Sequence, residues 1–181
     1  MRITTHTLIL IALSIIPIMQ AKAFQDYKIS LEEYIIYAQT YPSVIINKSA
    51  IRQQNPAKFI VDEEELTTCF ILQQTEHHYI INITNNIDTE SSDSILLTQI
   101  SIPDTTTMYV YSNKYSNPLD LYTCPDASCS KITFEEYINE ELYIIDFNGP
   151  WLKVQFIHNG NLYIGWLSPH SYCSNPYSTC S

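Results

Sequence analysis

Hydrophobic and polar positions follow three different rhythms along this chain. From Leu8 to Met19 apolar residues run almost without interruption, behind an early charge at Arg2, and Ala21-Lys22-Ala23 follows. A charged start, a short apolar stretch and an A-x-A exit make the pattern of a cleavable secretory signal over residues 1–23. The stretch falls short of the roughly 20 residues that a membrane helix needs. No cysteine follows the exit, which argues against a lipid anchor there, and the mature chain is expected to begin at Phe24. No later apolar stretch is long enough to span a bilayer, so the expectation is a soluble protein, periplasmic or secreted, with no membrane span after signal cleavage.

The second rhythm is helical and brief. Ser30-Leu31-Glu32-Glu33 fits a capping box, with Glu33 able to reach back to the backbone of Ser30. Leu31, Tyr34, Ile35, Ala38 and Tyr41 recur at helical spacing until Pro42 ends the run, which predicts an amphipathic helix of about three turns. Residues 43–60 fit no single pattern, and Asp62 to Glu65 is a charge run suited to a solvated turn. Thr67–Gln74 and Tyr79–Thr84 are rich in β-branched and aromatic residues and predict a hairpin turning around Glu76-His77. Asn85 to Asp93 reads as a polar loop, and Ile95–Ile102 as a further strand. Residues 24–103 are therefore expected to form a small α+β region, with no internal repeat and no known motif.

The third rhythm, strict alternation, dominates the rest. Glu141–Phe147, Trp151–Ile157 and Leu162–Leu167 are strand patterns separated by Asn148-Gly149 and Asn159-Gly160. In the middle one Leu152, Val154 and Phe156 alternate with Lys153 and Gln155. Asn-Gly is the preferred pair for two-residue hairpin turns, whose central positions both need positive φ. An antiparallel meander follows. Gly165 sits inside its third strand, where glycine weakens pairing and marks a close approach or a bend. All three glycines of the chain lie between 149 and 165.

These residues carry a resemblance. Leu119 to Ile132, with Leu119-Asp120-Leu121-Tyr122 leading into a loop with Pro125, resembles the opening strand of bacterial SH3 domains, the "LNVR" type. Asn148-Gly149-Pro150-Trp151-Leu152-Lys153-Val154 resembles that family's "GGWYKV" strand, Asn159 to Leu167 its "NGKTGWV" strand, and Ser168 to Tyr172 its closing "SSYL" turn. Tyr122 stands where the family has Arg, Cys124 where it has Gly, and Glu135 to Glu140 where it often has a Gly- and Lys-rich turn. The resemblance implies a five-stranded, half-open barrel over residues 104–173, with a short tail at 174–181. It also implies a non-catalytic module that binds cell-wall peptide or glycan, or another protein. The fold class expected for the whole is mainly β with some α: an SH3-like small β-barrel preceded by a small α+β region.

Charge narrows the partners. The chain of 181 residues carries 19 Asp and Glu against nine Lys and Arg. Arg2 and Lys22 would leave with the signal, which sharpens the imbalance. Such a surface repels nucleic acid and other polyanions, and no nucleic-acid partner is expected. Five cysteines, Cys69, Cys124, Cys129, Cys173 and Cys180, can oxidise after export. Closeness in sequence favours Cys124 with Cys129 and Cys173 with Cys180, leaving Cys69 over, although other pairings stay open.

Candidate chemistry is thin. A thiol hydrolase needs a Cys nucleophile with a His base, and Cys69 with His77 or His78 is the one formal pairing, but Cys69 falls in a strand pattern. No H-E-x-x-H or paired C-x-x-C spacing predicts a metal site, and no cofactor motif occurs. Glu135-Glu136 and Glu140-Glu141 are paired acids on a turn, better suited to solvation than to glycoside cleavage. Aromatic residues are the better lead: Tyr111, Tyr115, Tyr122, Trp151, Tyr163 and Trp166 are the candidate ligand contacts, able to stack on sugar or peptide. The expected function is an exported, non-enzymatic binding protein for cell-wall (peptidoglycan) material or a peptide. The alternative is a secreted interaction, inhibitor or immunity protein that meets a basic partner, and a small wall hydrolase ranks last.

Overall fold

A computed structural model describes residues 24–47, 49, 51, 66–84, 94–113 and 118–174. The expected signal, Tyr115, Cys180, the charge run at 62–65 and the loop at 85–93 lie outside the described residues.

The fold is mainly β. The strands are β1 (Phe24–Ser30), β2 (Ser43–Asn47), β3 (Leu66–Gln74), β4 (His78–Thr84), β5 (Ser94–Pro103), β6 (Met108–Ser112), β7 (Leu119–Tyr122) and β8 (Lys131–Phe134). They continue with β9 (Leu142–Asn148), β10 (Trp151–His158), β11 (Asn161–Leu167) and β12 (Tyr172–Cys173). Among the described residues these twelve form one sheet in the order β1-β5-β4-β3-β2-β6-β9-β10-β11-β7-β8, with β12 on β6. Neighbouring strands are antiparallel, and the hydrogen-bonded path is open, with β1 and β8 at its two ends.

The predicted helix is α1 (Leu31–Thr40), and its capping box is complete. The Glu33 amide donates to Ser30 Oγ at 3.2 Å, and the Ser30 amide donates to Glu33 Oε2 at 2.8 Å. The Ser30 amide, and after it the Ser30 hydroxyl, donate to the Glu33 carboxylate, favour its ionised form and hold it below its ordinary range. The expected apolar face differs in part. Tyr34 and Tyr37 set their rings edge-on to Phe70 of β3, at 5.9 and 5.2 Å, while Leu31 and Ile35 are exposed. The helix therefore seats on the sheet through two aromatic rings rather than through its aliphatic stripe. Beneath it the Asn82 side-chain amide donates to the hydroxyls of Tyr27 and Tyr37.

The two halves meet at β6. Ile45 of β2 pairs with Tyr109, which pairs in turn with Tyr143 of β9. One buried cluster runs through both halves, from Val44, Ile71 and Ile81 to Met108, Leu121, Leu142 and Val154. The segment after β12 adds a second tie: Ser174 bonds to the Ser43 hydroxyl, and Thr68 Oγ1 donates to its carbonyl at 2.6 Å.

The β9-β10-β11 meander matches the alternation, but its two turns are not alike. Asn159 (φ 50°) and Gly160 (φ 76°) both occupy positive φ between the paired residues His158 and Asn161, the geometry expected for Asn-Gly. At the other turn Asn148 belongs to the strand and pairs with Trp151, so the central pair is Gly149-Pro150. Gly149 takes φ 54°, and the ring of Pro150 holds the second position at negative φ. The expectation that Asn148 and Gly149 form that turn's centre is corrected by one position. Gly165 marks a close approach: a Cβ there would lie 2.5 Å from Leu121 Cγ and 2.9 Å from the Tyr122 carbonyl oxygen.

Cys124 and Cys129 form a disulfide with Cα atoms 5.9 Å apart, closing the loop between β7 and β8. Cys173 is also disulfide-bonded; its expected partner, Cys180, lies outside the described residues. Cys69 is free and buried.

Candidate functional site

Alternation places Leu152, Val154, Phe156 and His158 on the core side of β10, and Trp151, Lys153, Gln155 and Ile157 on its outer side. The outer side carries a cross-strand row. Asp146 pairs with Lys153, Lys153 with Trp166, Trp166 with Tyr122, and Tyr122 with Lys131. Lys153 Nζ lies 5.8 Å from the Trp166 ring centre, and Lys131 Nζ 5.7 Å from that of Tyr122, within reach of cation–π attraction. Trp151 meets Tyr122 edge-to-face at 5.3 Å. Lys131 also pairs with Asp120 at 2.5 Å, and Thr133 donates to the same carboxylate at 2.7 Å. Partial burial works to raise the Asp120 carboxyl, but these bonds outweigh it and leave the group below its ordinary range.

Three of the candidate aromatics, Tyr122, Trp151 and Trp166, thus come together. Tyr122 and Trp151 are half-buried, whereas Trp166 is buried under its neighbours. Tyr163 faces the other way, stacked on Phe156 at 5.6 Å and edge-on to Phe134 at 4.9 Å, as the odd spacing between 163 and 166 requires. Tyr111 stands on β6 against Tyr109 at 5.6 Å, apart from that trio, and Tyr115 lies outside the described residues.

The other end of the same outer face holds residues that belong to no motif. Ile157 pairs with Leu162, and Gln155 sits between Tyr143 and Ile164. Beside them is a hollow of about 550 Å³ lined by Glu140, Glu141, Tyr143, Gln155, Ile157 and Leu162. The signal was present in the alternation: Ile157, Leu162 and Ile164 occupy the phase that should be polar.

His158 fixes the loop that supplies the acids. Its Nδ1 lies 2.9 Å from Glu140 Oε1 and its Nε2 2.8 Å from Glu136 Oε1. Both contacts are hydrogen bonds only when the ring carries two protons. Bonds to Glu140 and then Glu136 accordingly raise the pKa of His158, and the bond from His158 lowers that of Glu136.

Cys69, by contrast, has no access to solvent, and burial raises its thiol pKa far above the ordinary range. It lies mid-strand, paired with Val44 and Ile83, while His77 and His78 are exposed at the β3–β4 hairpin. Among the described residues no three His, Cys, Asp or Glu side chains are grouped to hold a metal ion, and no helix is long and apolar enough to cross a membrane. Comparison with protein-family models, curated proteins and solved structures finds no match to this chain.

Proposed function

We propose that this chain is an exported, non-enzymatic binding protein, and that residues 104–173, with β6 to β12, form an SH3-like unit that binds cell-wall material or a peptide. What supports the architectural half is the strand arrangement. A three-strand meander is framed by β6, on which the last strand, β12, returns to pair, as a small half-open barrel of five strands would require. The β7–β8 hairpin then lies along the free edge of β11, through the Trp166–Tyr122 pair.

The observation that carries the binding half is the half-exposed Tyr122–Trp151 pair beside Lys131 and Lys153. A chain with nine basic residues against 19 acids sets two of those bases against aromatic rings on one face. Rings offer a stacking surface for sugar or peptide, and the Lys153 ammonium can meet a ligand carboxylate. The buried Cys69 lends no support to a thiol hydrolase. The test is retention of the protein recovered after export on insoluble peptidoglycan at two salt concentrations. Retention at both salt concentrations, lost in Trp151→Ala with the fold intact, is expected. No retention at either salt sinks the wall reading.

A second reading, a protein partner of basic character, is favoured by a different observation, the acid-lined hollow at the far end of the same face.

A further inference from the structure

A sheet face open to water normally alternates apolar inward and polar outward. On β10 and β11 the outward phase breaks that rule: Ile157, Leu162 and Ile164 are 64%, 62% and 52% exposed. They are contiguous, because Ile157 is directly opposite Leu162 and Ile164 is opposite Gln155, next to Tyr143. Scattered exposed apolar side chains need no explanation, but a contiguous patch with polar neighbours marks an interaction surface. The adjoining hollow of about 550 Å³ falls in the range of roughly 300–1,000 Å³ found for ligand sites.

The acids on that hollow are held in place. Glu140 is bonded to His158, and Glu141 accepts from the Tyr143 hydroxyl at 2.5 Å. Charge then selects the occupant. The chain carries a formal charge of −10, so a second copy or an anionic polymer meets repulsion there. A segment bearing both apolar and cationic side chains meets complementary groups.

We propose that the outer face of β9, β10 and β11 docks a segment of a partner protein in which apolar side chains are flanked by Lys or Arg. The apolar side chains enter the hollow against Ile157 and Leu162, and the cations meet Glu140 and Glu141. The proposal rests on the reading of a basic protein partner; its surface is distinct from the Tyr122–Trp151 pair and does not depend on wall binding.

The test uses the full protein recovered after export and a short synthetic peptide of alternating leucine and lysine. Alternating leucine–glutamate and serine–lysine peptides of equal length serve as comparisons, read by titration calorimetry at low and high salt. The leucine–lysine peptide is expected to bind about tenfold or more tighter than either comparison. Leu162→Ser should weaken it about tenfold, and Glu141→Gln should weaken it and flatten its salt dependence. Both side chains lie outside the core, and circular dichroism checks the fold of each variant, with Ile157→Ser as a second apolar probe. The proposal is overturned by no binding, by equal binding of the serine–lysine peptide, or by unchanged affinity in both Leu162→Ser and Ile157→Ser. Self-association in sedimentation that Leu162→Ser abolishes also overturns it, and assigns the face to a second copy.

Discussion

Gly165 and Leu121 touch so closely that a single methyl cannot fit between them. A Cβ on Gly165 would lie 2.5 Å from Leu121 Cγ, and the Tyr122 carbonyl stands 2.9 Å away. The leucine could rotate, but the strand carbonyl cannot. This contact sets how near β7 approaches β11 and so how Tyr122 meets Trp151. Gly165→Ala should destabilise the fold by about 1–3 kcal/mol, the ordinary cost of overpacking. Urea unfolding measures the loss, and an unchanged midpoint would contradict the close approach.

The two Asn-Gly pairs should respond differently to the same substitution. Asn159 holds φ 50° at the centre of its turn, so Asn159→Ala forces alanine into the left-handed region at a cost of about 1–2 kcal/mol. Asn148 is a strand residue paired with Trp151, and Asn148→Ala should stay within about 0.5 kcal/mol. Equal losses in thermal unfolding would mean that the turns share one geometry.

His158 predicts a pH dependence with a definite sign. Its folded pKa is raised by Glu140 and Glu136. The stability it contributes is therefore fully present below the unfolded value of about 6.5 and is lost as pH rises through the folded value. Glu136 works in the opposite sense. Its folded pKa is lowered, first by the bond from His158, so its contribution is present above its unfolded value and is lost as pH falls. Both ends of this window should vanish together in His158→Gln, measured as the slope of unfolding free energy against pH. A ring titrating below about 6.5 by NMR would refute the two-carboxylate clamp.

The cysteines separate by access. Cys69 is buried with a raised thiol pKa, so the folded protein should resist alkylation at Cys69 and react once unfolded. Replacing Cys124 and Cys129 together by serine should cost about 2 kcal/mol, the low end for a loop this short. Fast labelling of Cys69 in the native protein would contradict its burial.

Much of this was legible before any coordinates. The capping box at Ser30 and Glu33, the β3–β4 hairpin and the β9-β10-β11 meander all rest on local chemistry that neighbouring residues carry. The junction at β6 was not, because the pairing of Ile45 with Tyr109 joins positions with no local signal. Trp151 and Tyr122 could be shortlisted as aromatics, but their edge contact depends on how β7 folds back along β11. Tyr163 shared the same composition and faces Phe134 and Phe156 instead, since period-2 alternation, not residue type, decides the face. The patch of Ile157, Leu162 and Ile164 escaped notice for a simpler reason. Apolar residues inside apolar strands look like core until the phase of each is assigned.

The chain has two tryptophans, Trp151 and Trp166, and hence two indole N–H signals in a two-dimensional NMR spectrum. Titrating the protein with soluble peptidoglycan fragments, with Trp151→Phe to assign the signals, tests the binding face most directly. A saturable shift of the half-exposed Trp151 signal, with smaller movement of the buried Trp166 and abolished in Tyr122→Ala, is the predicted result. Two indole signals that stay fixed through the titration would contradict wall binding at this face.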